Sequence, residues 1–467
     1  MFEDYTLRRD SRGLEMARGA WMAMADMRKR RQRYKDFTYG RQWGDLCRAG
    51  DGRLLSEEQR MSEEGRVPIT NNIIRQTVKS IIGRYRHMCR ATDEPADRGI
   101  LPSAGGFGPG ALEVSETDAR ALEEFLISGC VVQTLHGGKA ENVSPNRFFA
   151  QSFTRTDASD CRLMGLLQDL SLPQVLERFG EGDPRKARAL KRALQRGTAV
   201  VDPFPGQSGT VSFSTPGKPG TYRVIEMWRL QGTEYLEVTD PVSGQVSVDT
   251  VSDLERLEGL NRARAEVDSA PLTWRHRVEE HWEGVWLTPC GEVLGTESLG
   301  RGEFPPLALR FYPLIDGEVH SLVEDIIDQQ KTVNRLISLL DHIISSSAKG
   351  VLLYPADQLP EGFTWKDIRR IWSNPMGILP FKRTAKGVTP QQVNAAGNGA
   401  GATEMLRLQL QLFEQISGAT GAMRGRSSSA TGEGMLRTEL ENAMVSMLDL
   451  LASFRAFVLE RDARLTR

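Results

Sequence analysis

The stretch from Phe304 to Pro355 reads FPPLALRFYPLIDGEVHSLVEDIIDQQKTVNRLISLLDHIISSSAKGVLLYP. Apolar residues at Val319, Leu322, Val323, Ile326, Ile327, Val333, Leu336, Ile337, Leu340, Ile343 and Ile344 recur three and four apart. That is the period of one helical face. The other face carries Asp325, Asp328, Lys331, Asn334, Arg335 and Asp341. No proline interrupts the run, so the pattern predicts one helix from Glu318 to Ser345, ~40 Å long at about 1.5 Å per residue. A periodic run beyond about 25 residues points to a coiled coil, a membrane span or a helical assembly, and the charges exclude the span. Strand-like segments, LALRFYPLI and GVLLYP, flank it, which suits an elongated subunit.

The order of features here is strand, Tyr312-Pro313, Ile315-Asp316-Gly317-Glu318, helix, Ser347-Ala348-Lys349-Gly350, strand. It resembles portal proteins of tailed bacteriophages. Asp328-Gln329-Gln330, then Asn334-Arg335 and Ser338, carry the resemblance most specifically. A second match, in the expected order, is Tyr39-Gly40-Arg41-Gln42-Trp43, then Pro68, Asn71 and Asn72 before a helix rich in isoleucine. This is similar to the N-terminal part of podovirus-like portals. The resemblance spans 36–460, densely at 304–355 and 403–460 and thinly at 90–200.

Composition sets other bounds. The chain has 467 residues, enough for two to four domains, with 60 basic and 61 acidic residues. A protein that grips nucleic acid over a broad surface usually carries a basic excess, which is absent here. The five cysteines, Cys47, Cys89, Cys130, Cys161 and Cys290, are widely spaced with no Cys-x-x-Cys. A disulfide framework or structural zinc is therefore not expected, and a reducing compartment fits. The N-terminal MFEDYTLRRDS has no apolar signal core, and no run approaches 18 apolar residues, so no membrane association is expected.

Along the chain, residues 12–37 read as one amphipathic helix ending in Arg28-Lys29-Arg30-Arg31, Arg33 and Lys35. That basic run is a phosphate patch or, preferably, a solvated helix end. RVPITNNIIRQTVKSIIGRYR turns into a helix with Ile73, Ile74, Val78, Ile81 and Ile82 on its buried face. LPSAGGFGPG, from Leu101 to Gly110, reads as a flexible loop, and Ser115 to Leu126 as a helix. Residues 133–153 read as a mixed α+β layer. Cys161 to Phe179 reads as a helix restarting at Leu172-Pro173, and RKARALKRALQR as another. DPFPGQSGTVSFSTPGKPG, from Asp202 to Gly220, is the clearest linker, and limited proteolysis is expected to cut near 205–220. After it the period becomes two: TYRVIEMWRL, TEYLEVTD, GQVSVDTV and TWRHRVEEHWEGVWLT read as strands of a separable β-rich insertion over 221–300. Farther on, FTWKDIRRIW reads as a helix, GILPF as a strand, and NAAGNGAGA as a flexible stretch. Thr403 to Ile416 and Met435 to Arg464 read as helices, with a loop between them.

No motif carries catalysis. His276 and His281 are five apart and share neither a helical face nor a strand face, which defeats a zinc reading. Gly217-Lys218 lacks the P-loop arrangement, and Gly-x-Ser-x-Gly does not occur. Glu324, Asp325 and Asp328 lie close on one helix. They read as a solvated face, or as carboxylates that let DNA slide by repelling phosphate, rather than as a magnesium site.

The fold class expected is α+β: a mainly helical portal-type subunit, with wing and stem helices and a small β-rich clip insertion. The resemblance implies a wing region at 1–160, a stem-leading segment and linker at 161–220, a clip-like insertion at 221–303, a strand and stem helix at 304–350, and a C-terminal wing at 351–467. It implies a dodecameric homo-oligomeric ring at the capsid vertex, passing double-stranded DNA without sequence specificity. Expected partners are a terminase motor, scaffold or capsid protein, and a neck or tail adaptor. Assembly would take place in the bacterial cytoplasm, with no cofactor and no enzymatic activity. The glycine- and serine-rich stretches 382–402 and 417–434 are expected to be mobile, one of them as a tunnel loop. Lys382, Arg383, Lys386, Arg424 and Arg426 are the candidates to face DNA. The chain ends at Arg467 with no crown or barrel region, as in a short portal or a truncated gene. Other readings are another head-assembly or adaptor protein, and a metal-dependent nuclease built on Glu324, Asp325 and Asp328.

Overall fold

The structure, a computed structural model, describes residues 5–50, 52–91, 115–200, 211–312, 314–315, 318–347, 351–373, 378–382, 389–393, 399–418, 445 and 447–466. In chain order these form α1 (Ser11–Ala23), α2 (Ala25–Thr38), β1 (Leu46–Arg48), β2 (Leu54–Ser56), α3 (Glu57–Glu63), α4 (Ile73–Ala91) and α5 (Glu116–Ser128). Then come β3 (Cys130–His136), β4 (Lys139–Val143), β5 (Phe148–Ala150), β6 (Leu163–Leu170), α6 (Leu172–Phe179) and α7 (Pro184–Thr198). The next group is β7 (Tyr222–Thr239), β8 (Val246–Thr250), α8 (Leu254–Glu266), β9 (Thr273–Leu287), β10 (Val293–Ser298) and β11 (Leu307–Phe311). Last are β12 (Leu314–Ile315), β13 (Glu318–Val319), α9 (Leu322–Ser347), β14 (Val351–Leu353), α10 (Trp365–Ser373), β15 (Gln391–Val393), α11 (Gly399–Ser417) and α12 (Leu448–Leu465). The architecture mixes helix and sheet, as α+β requires. Among the described residues no helix is long and apolar enough to cross a membrane.

The chain divides into two compact units. The first comprises Met1–Asp36, Thr77–Glu324 and Ala422–Arg467. Its main sheet runs β10-β9-β7-β6-β5, with β8 added to β7, and a second sheet runs β11-β3-β4. The core lies around Phe148, Phe149, Leu166, Ile225, Trp228, Trp286 and Phe311. Trp228 is fully buried because Gly284, opposite it in the register, has no side chain: a Cβ there would sit 2.7 Å from the indole. α12 is tied on by Arg461, buried against Asp118, and by Phe454, which packs on Phe125 and Tyr85. The second unit comprises Phe37–Gln76 and Asp325–Gly421, and holds the β1-β2 and β14-β15 pairs.

Several expectations change. Leu163–Leu170 is a strand, not part of a helix from Cys161. It is an interior strand with a continuous apolar run, LMGLL, and such a run has no period to tell strand from helix. Gly165 is dictated there, since a Cβ would meet the Glu226 carbonyl at 2.2 Å. The expected helix over 12–37 is two helices broken at Met24, whose Sδ turns inward to accept the Ala150 N–H at 3.0 Å. The long helix begins at Leu322 rather than Glu318, because Glu318–Val319 pairs with Leu314–Ile315. TYRVIEMWRL and TEYLEVTD are one strand. Of the expected linker, 201–210 lies outside the described residues, but Phe213 and Ser214 are buried. Arg223 holds that stretch by donating to the Ser212 and Thr215 carbonyls at 2.7 and 2.6 Å. Of GILPF, the described residues 378–381 form no strand; Tyr354 Oη donates to the Pro380 carbonyl instead. α11 starts at Gly399, inside the stretch expected to be flexible.

Candidate functional site

The residues that carry the resemblance meet in one polar network. On α9, Gln330, Asn334 and Ser338 fall four apart and are all buried, within a face otherwise apolar. Ser338 Oγ accepts the Ile69 N–H at 2.9 Å, and Asn334 Oδ1 accepts the Asn71 N–H at 3.0 Å. Gln330 Oε1 accepts the Ile73 and Ile74 N–H groups at 2.9 and 3.2 Å, while its Nε2 donates to the Asn71 carbonyl at 2.6 Å. A helix start leaves its first N–H groups without intrahelical partners, and here a second helix supplies the acceptor for α4. Asn334 Nδ2 donates to Gln42 Oε1, and Trp43 Nε1 to Thr70 Oγ1. The two stretches that looked portal-like separately are thus one structural device. The signal that locates it is polar residues at helical period inside an apolar stripe.

A charged cluster lies beside it. Lys331 Nζ reaches Asp45 and Glu57 at 2.6 and 2.7 Å, and Arg335 reaches Glu57 at 2.8 Å. The carboxylate trio behaves differently from a metal site. Asp325 and Asp328 are exposed, as a solvated face requires. Glu324 accepts from His320 at 3.1 Å and from Tyr34, whose hydroxyl is pushed up by burial and then by this carboxylate. Among the described residues no group of three or more His, Cys, Asp and Glu is placed to hold a metal. His276 pairs with Glu234 at 3.1 Å and His281 lies 3.4 Å from Thr233, so the two histidines have separate partners.

Two members of the basic run are buried rather than solvated. Arg28 lies over the Trp21 ring at 3.5 Å and donates to the Trp21 carbonyl; burial lowers its pKa to about 10. Arg31 forms a two-pronged bond to Glu124 at 2.7 and 2.6 Å. Of the candidates to face DNA, Lys382 is exposed and its Nζ lies 3.3 Å from Glu361. Arg383, Lys386, Arg424 and Arg426 lie outside the described residues.

The strands of 221–300 run from the core into a smaller lobe. β7 and β9 stay paired from Ile225↔Leu287 to Thr239↔Thr273, and β8 joins β7 at Tyr235 to Thr239. α8 closes one face of this distal sheet with its own small core of Leu236, Val238 and Leu257, backed by Leu254, Leu272 and Trp274. Asn261 exchanges two hydrogen bonds with the Leu272 backbone, and Arg264 clasps Asp240 at 2.9 and 2.7 Å. That clasp holds the Asp240 carboxyl far below the usual range. From Gln231 to His281 the lobe carries eleven Asp and Glu against five Arg and no Lys.

A model of the phage P22-like portal protein family matches residues 139–447, more than half of the chain, and no curated protein matches. The chain belongs to the phage P22-like portal protein family, a structural and non-enzymatic one.

Proposed function

We propose that this chain is the subunit of a ring at the capsid vertex through which double-stranded DNA enters and leaves the particle. The observation that supports the ring most directly is α11. Among its described residues only Phe413 and Ser417 are buried, while Met405, Leu408, Leu410 and Ile416 are between 37% and 47% exposed. An apolar helix left this bare is the mark of a surface that neighbouring subunits cover. α9 agrees: Ile326, Ile327 and Val333 are buried, but Leu336, Ile337, Leu339 and Leu340 are only half-buried. Native mass spectrometry and electron microscopy of purified protein test the reading. Rings with a wide central pore are expected, dodecameric in the particle; a stable monomer at micromolar concentration under every salt condition overturns it.

Within this reading 221–303 is the clip-like insertion, and 1–160, 161–220, 304–350 and 351–467 supply wing, stem-leading, stem and C-terminal wing parts. The acidic lobe at its far end is the docking surface for the terminase motor and later the neck or tail adaptor; capsid or scaffold protein is met elsewhere. Lys382, Arg383, Lys386, Arg424 and Arg426 face the passing DNA, with the sequence-independent, salt-sensitive contact that phosphates give. A ring structure with both stretches, 382–402 and 417–434, on its outer rim would remove that assignment.

The lobe's separate core leads to an expected result. Leu230 and Trp282 are opposite each other where the lobe begins. Replacing Gln231–His281 with an Asn-Gly turn should leave the rest of the first unit folded, with its unfolding free energy within about 1 kcal/mol of the parent. Circular dichroism and tryptophan fluorescence in urea check this, and an insoluble or molten product would contradict it.

A further inference from the structure

The first unit holds a cavity of about 510 Å³, bounded by the N-terminal segment, the turn from α6 to α7 and the edge strand β10. Small organic ligands occupy cavities of about 300–1,000 Å³. The N-terminal segment is strapped to the sheet beside it: the Arg8 carbonyl accepts the Val293 N–H at 2.8 Å, and the Asp10 N–H donates to the Gly291 carbonyl at 2.8 Å. The polar groups of the cavity are unbalanced toward donors. Lys186 is buried, 8% exposed, and among the described residues its ammonium has one partner, Glu181, at 2.5 Å. That partner is 75% exposed and sits at a left-handed backbone position, φ 49°, uncommon for a residue with a side chain. An ammonium carries three donors, and buried polar groups are as a rule hydrogen-bonded. Arg8 lines the cavity with its guanidinium unpaired among the described residues. The Trp286 Nε1–H, on another wall, is buried with no acceptor among them. Arg178 lies over the Trp286 ring, 4.8 Å from its centroid, with a long bond of 3.4 Å to Gln168. Against these three cations stand two carboxylates, Glu181 and the exposed Glu297.

We propose that this cavity binds a nucleoside phosphate. The phosphate supplies the acceptors that Lys186 and Arg8 lack, and takes the place of the exposed Glu181 carboxylate on the buried ammonium. The base stacks on the Arg178 guanidinium, whose inner face already rests on Trp286; guanidinium planes are common partners of unstacked bases. Glu297 accepts from the sugar hydroxyls. A bare anion would gain nothing from the flat stack, would leave most of the volume unfilled and would be repelled by Glu297. Duplex DNA keeps its bases stacked inside the helix and cannot offer one to this site, so the ligand is a free nucleotide. It touches both the N-terminal segment and the α6–α7 turn, and so pins that segment onto β10. The site lies within one subunit and does not depend on the ring.

The test is isothermal titration calorimetry on the full-length chain with AMP, GMP, CMP and UMP as probes, and with inorganic phosphate and adenosine as part-ligands. At least one nucleotide is expected to bind saturably, one per chain, at least about tenfold more tightly than either part-ligand. Arg8→Ala, at an exposed position, is expected to weaken that binding at least about tenfold with circular dichroism unchanged. Lys186→Met keeps the buried stem, drops the charge and is expected to do the same; should it misfold, Arg8→Ala decides alone. Glu181→Gln is the arm that a merely structural role would not move. Its carboxylate competes with the phosphate for Lys186, so its removal is expected to tighten binding, and weaker binding counts against the site. Amide exchange in residues 5–8 is expected to slow when the nucleotide is bound. Inorganic phosphate binding as tightly as every nucleotide would mean a bare anion site and would overturn the proposal. So would the absence of saturable binding by all four nucleotides, or binding that the folded variants leave unchanged. Each of these results leaves the ring reading standing, because native mass spectrometry of the same protein scores the ring separately.

Discussion

Gly129→Ala will cost the first unit at least about 4 kcal/mol in urea unfolding, and a large share of its soluble yield. Gly129 ends α5 in the left-handed conformation, φ 70°, where its N–H caps the helix on the Phe125 carbonyl. For alanine that conformation alone costs about 1 kcal/mol. Most of the loss is steric. A Cβ would stand 1.8 Å from the His320 carbonyl oxygen and 2.7 Å from that of Tyr312. Both are backbone atoms, fixed by hydrogen bonds from Tyr312 N–H to the Gly129 carbonyl and from His320 N–H to the Tyr312 carbonyl. Relief requires moving the lead-in to α9 or opening the β3–β11 pair, whose register begins at Cys130↔Phe311. Gly138→Ala is the control: its φ is 71° but nothing lies within 4 Å of the added carbon. That variant should lose only about 1 kcal/mol. Equal losses for the two would refute the steric account.

Gln330→Leu comes next, with an expected loss of about 3–5 kcal/mol from the second unit. Leucine keeps the volume but leaves the Ile74 N–H, the Asn71 carbonyl and one side of Asn334 without the partner that Gln330 gives them. An orphaned buried polar group costs about 1–3 kcal/mol, far more than the net gain of an ordinary hydrogen bond. Gln329→Leu is the contrast. The Gln329 side-chain oxygen is buried with no hydrogen bond among the described residues, so its removal should be neutral or slightly stabilising. Hydrogen exchange of the Ile73 and Ile74 amides gives a local readout: faster exchange in Gln330→Leu, no change in Gln329→Leu.

The long helix was legible because three-four spacing over that length has few other readings, and only its start moved, by the turn that Glu318–Val319 gives to a hairpin. The strands between 222 and 287 were legible because alternation marks a sheet with unequal faces, as in β9, where Trp274, Trp282 and Trp286 share one side; β10, Val293–Ser298, was not read as a strand. Leu163–Leu170 was not legible, since burial on both faces erases alternation. Arg28 and Arg31 could not be told from their solvated neighbours. Their burial depends on Trp21 and on Glu124, the latter 93 residues away. The network around Gln330 was present in the sequence as a resemblance without a reason; its reason needs Asn71 and Gln42 brought beside α9, which no local pattern encodes. The candidates to face DNA rested on composition and analogy, and geometry adds only the exposed pair of Lys382 with Glu361.

The unbroken pairing of β7 with β9 has a mechanical consequence. A lobe joined by a flexible tether would swing, and a force on it would be lost in the tether. This lobe is joined by two strands in continuous register, a ribbon roughly 50 Å long at about 3.3 Å per residue, whose near end is the wall that buries Trp228 and Trp286. Bending that ribbon strains a ladder of backbone hydrogen bonds along its length, so it resists as a cantilever does. A push at the Asp240 tip therefore arrives as a torque on the near end of the ribbon, where Trp228 and Trp286 pack edge to face at 5.7 Å. Load applied to the lobe is thus passed along the ladder to the first unit's core instead of being lost in a tether.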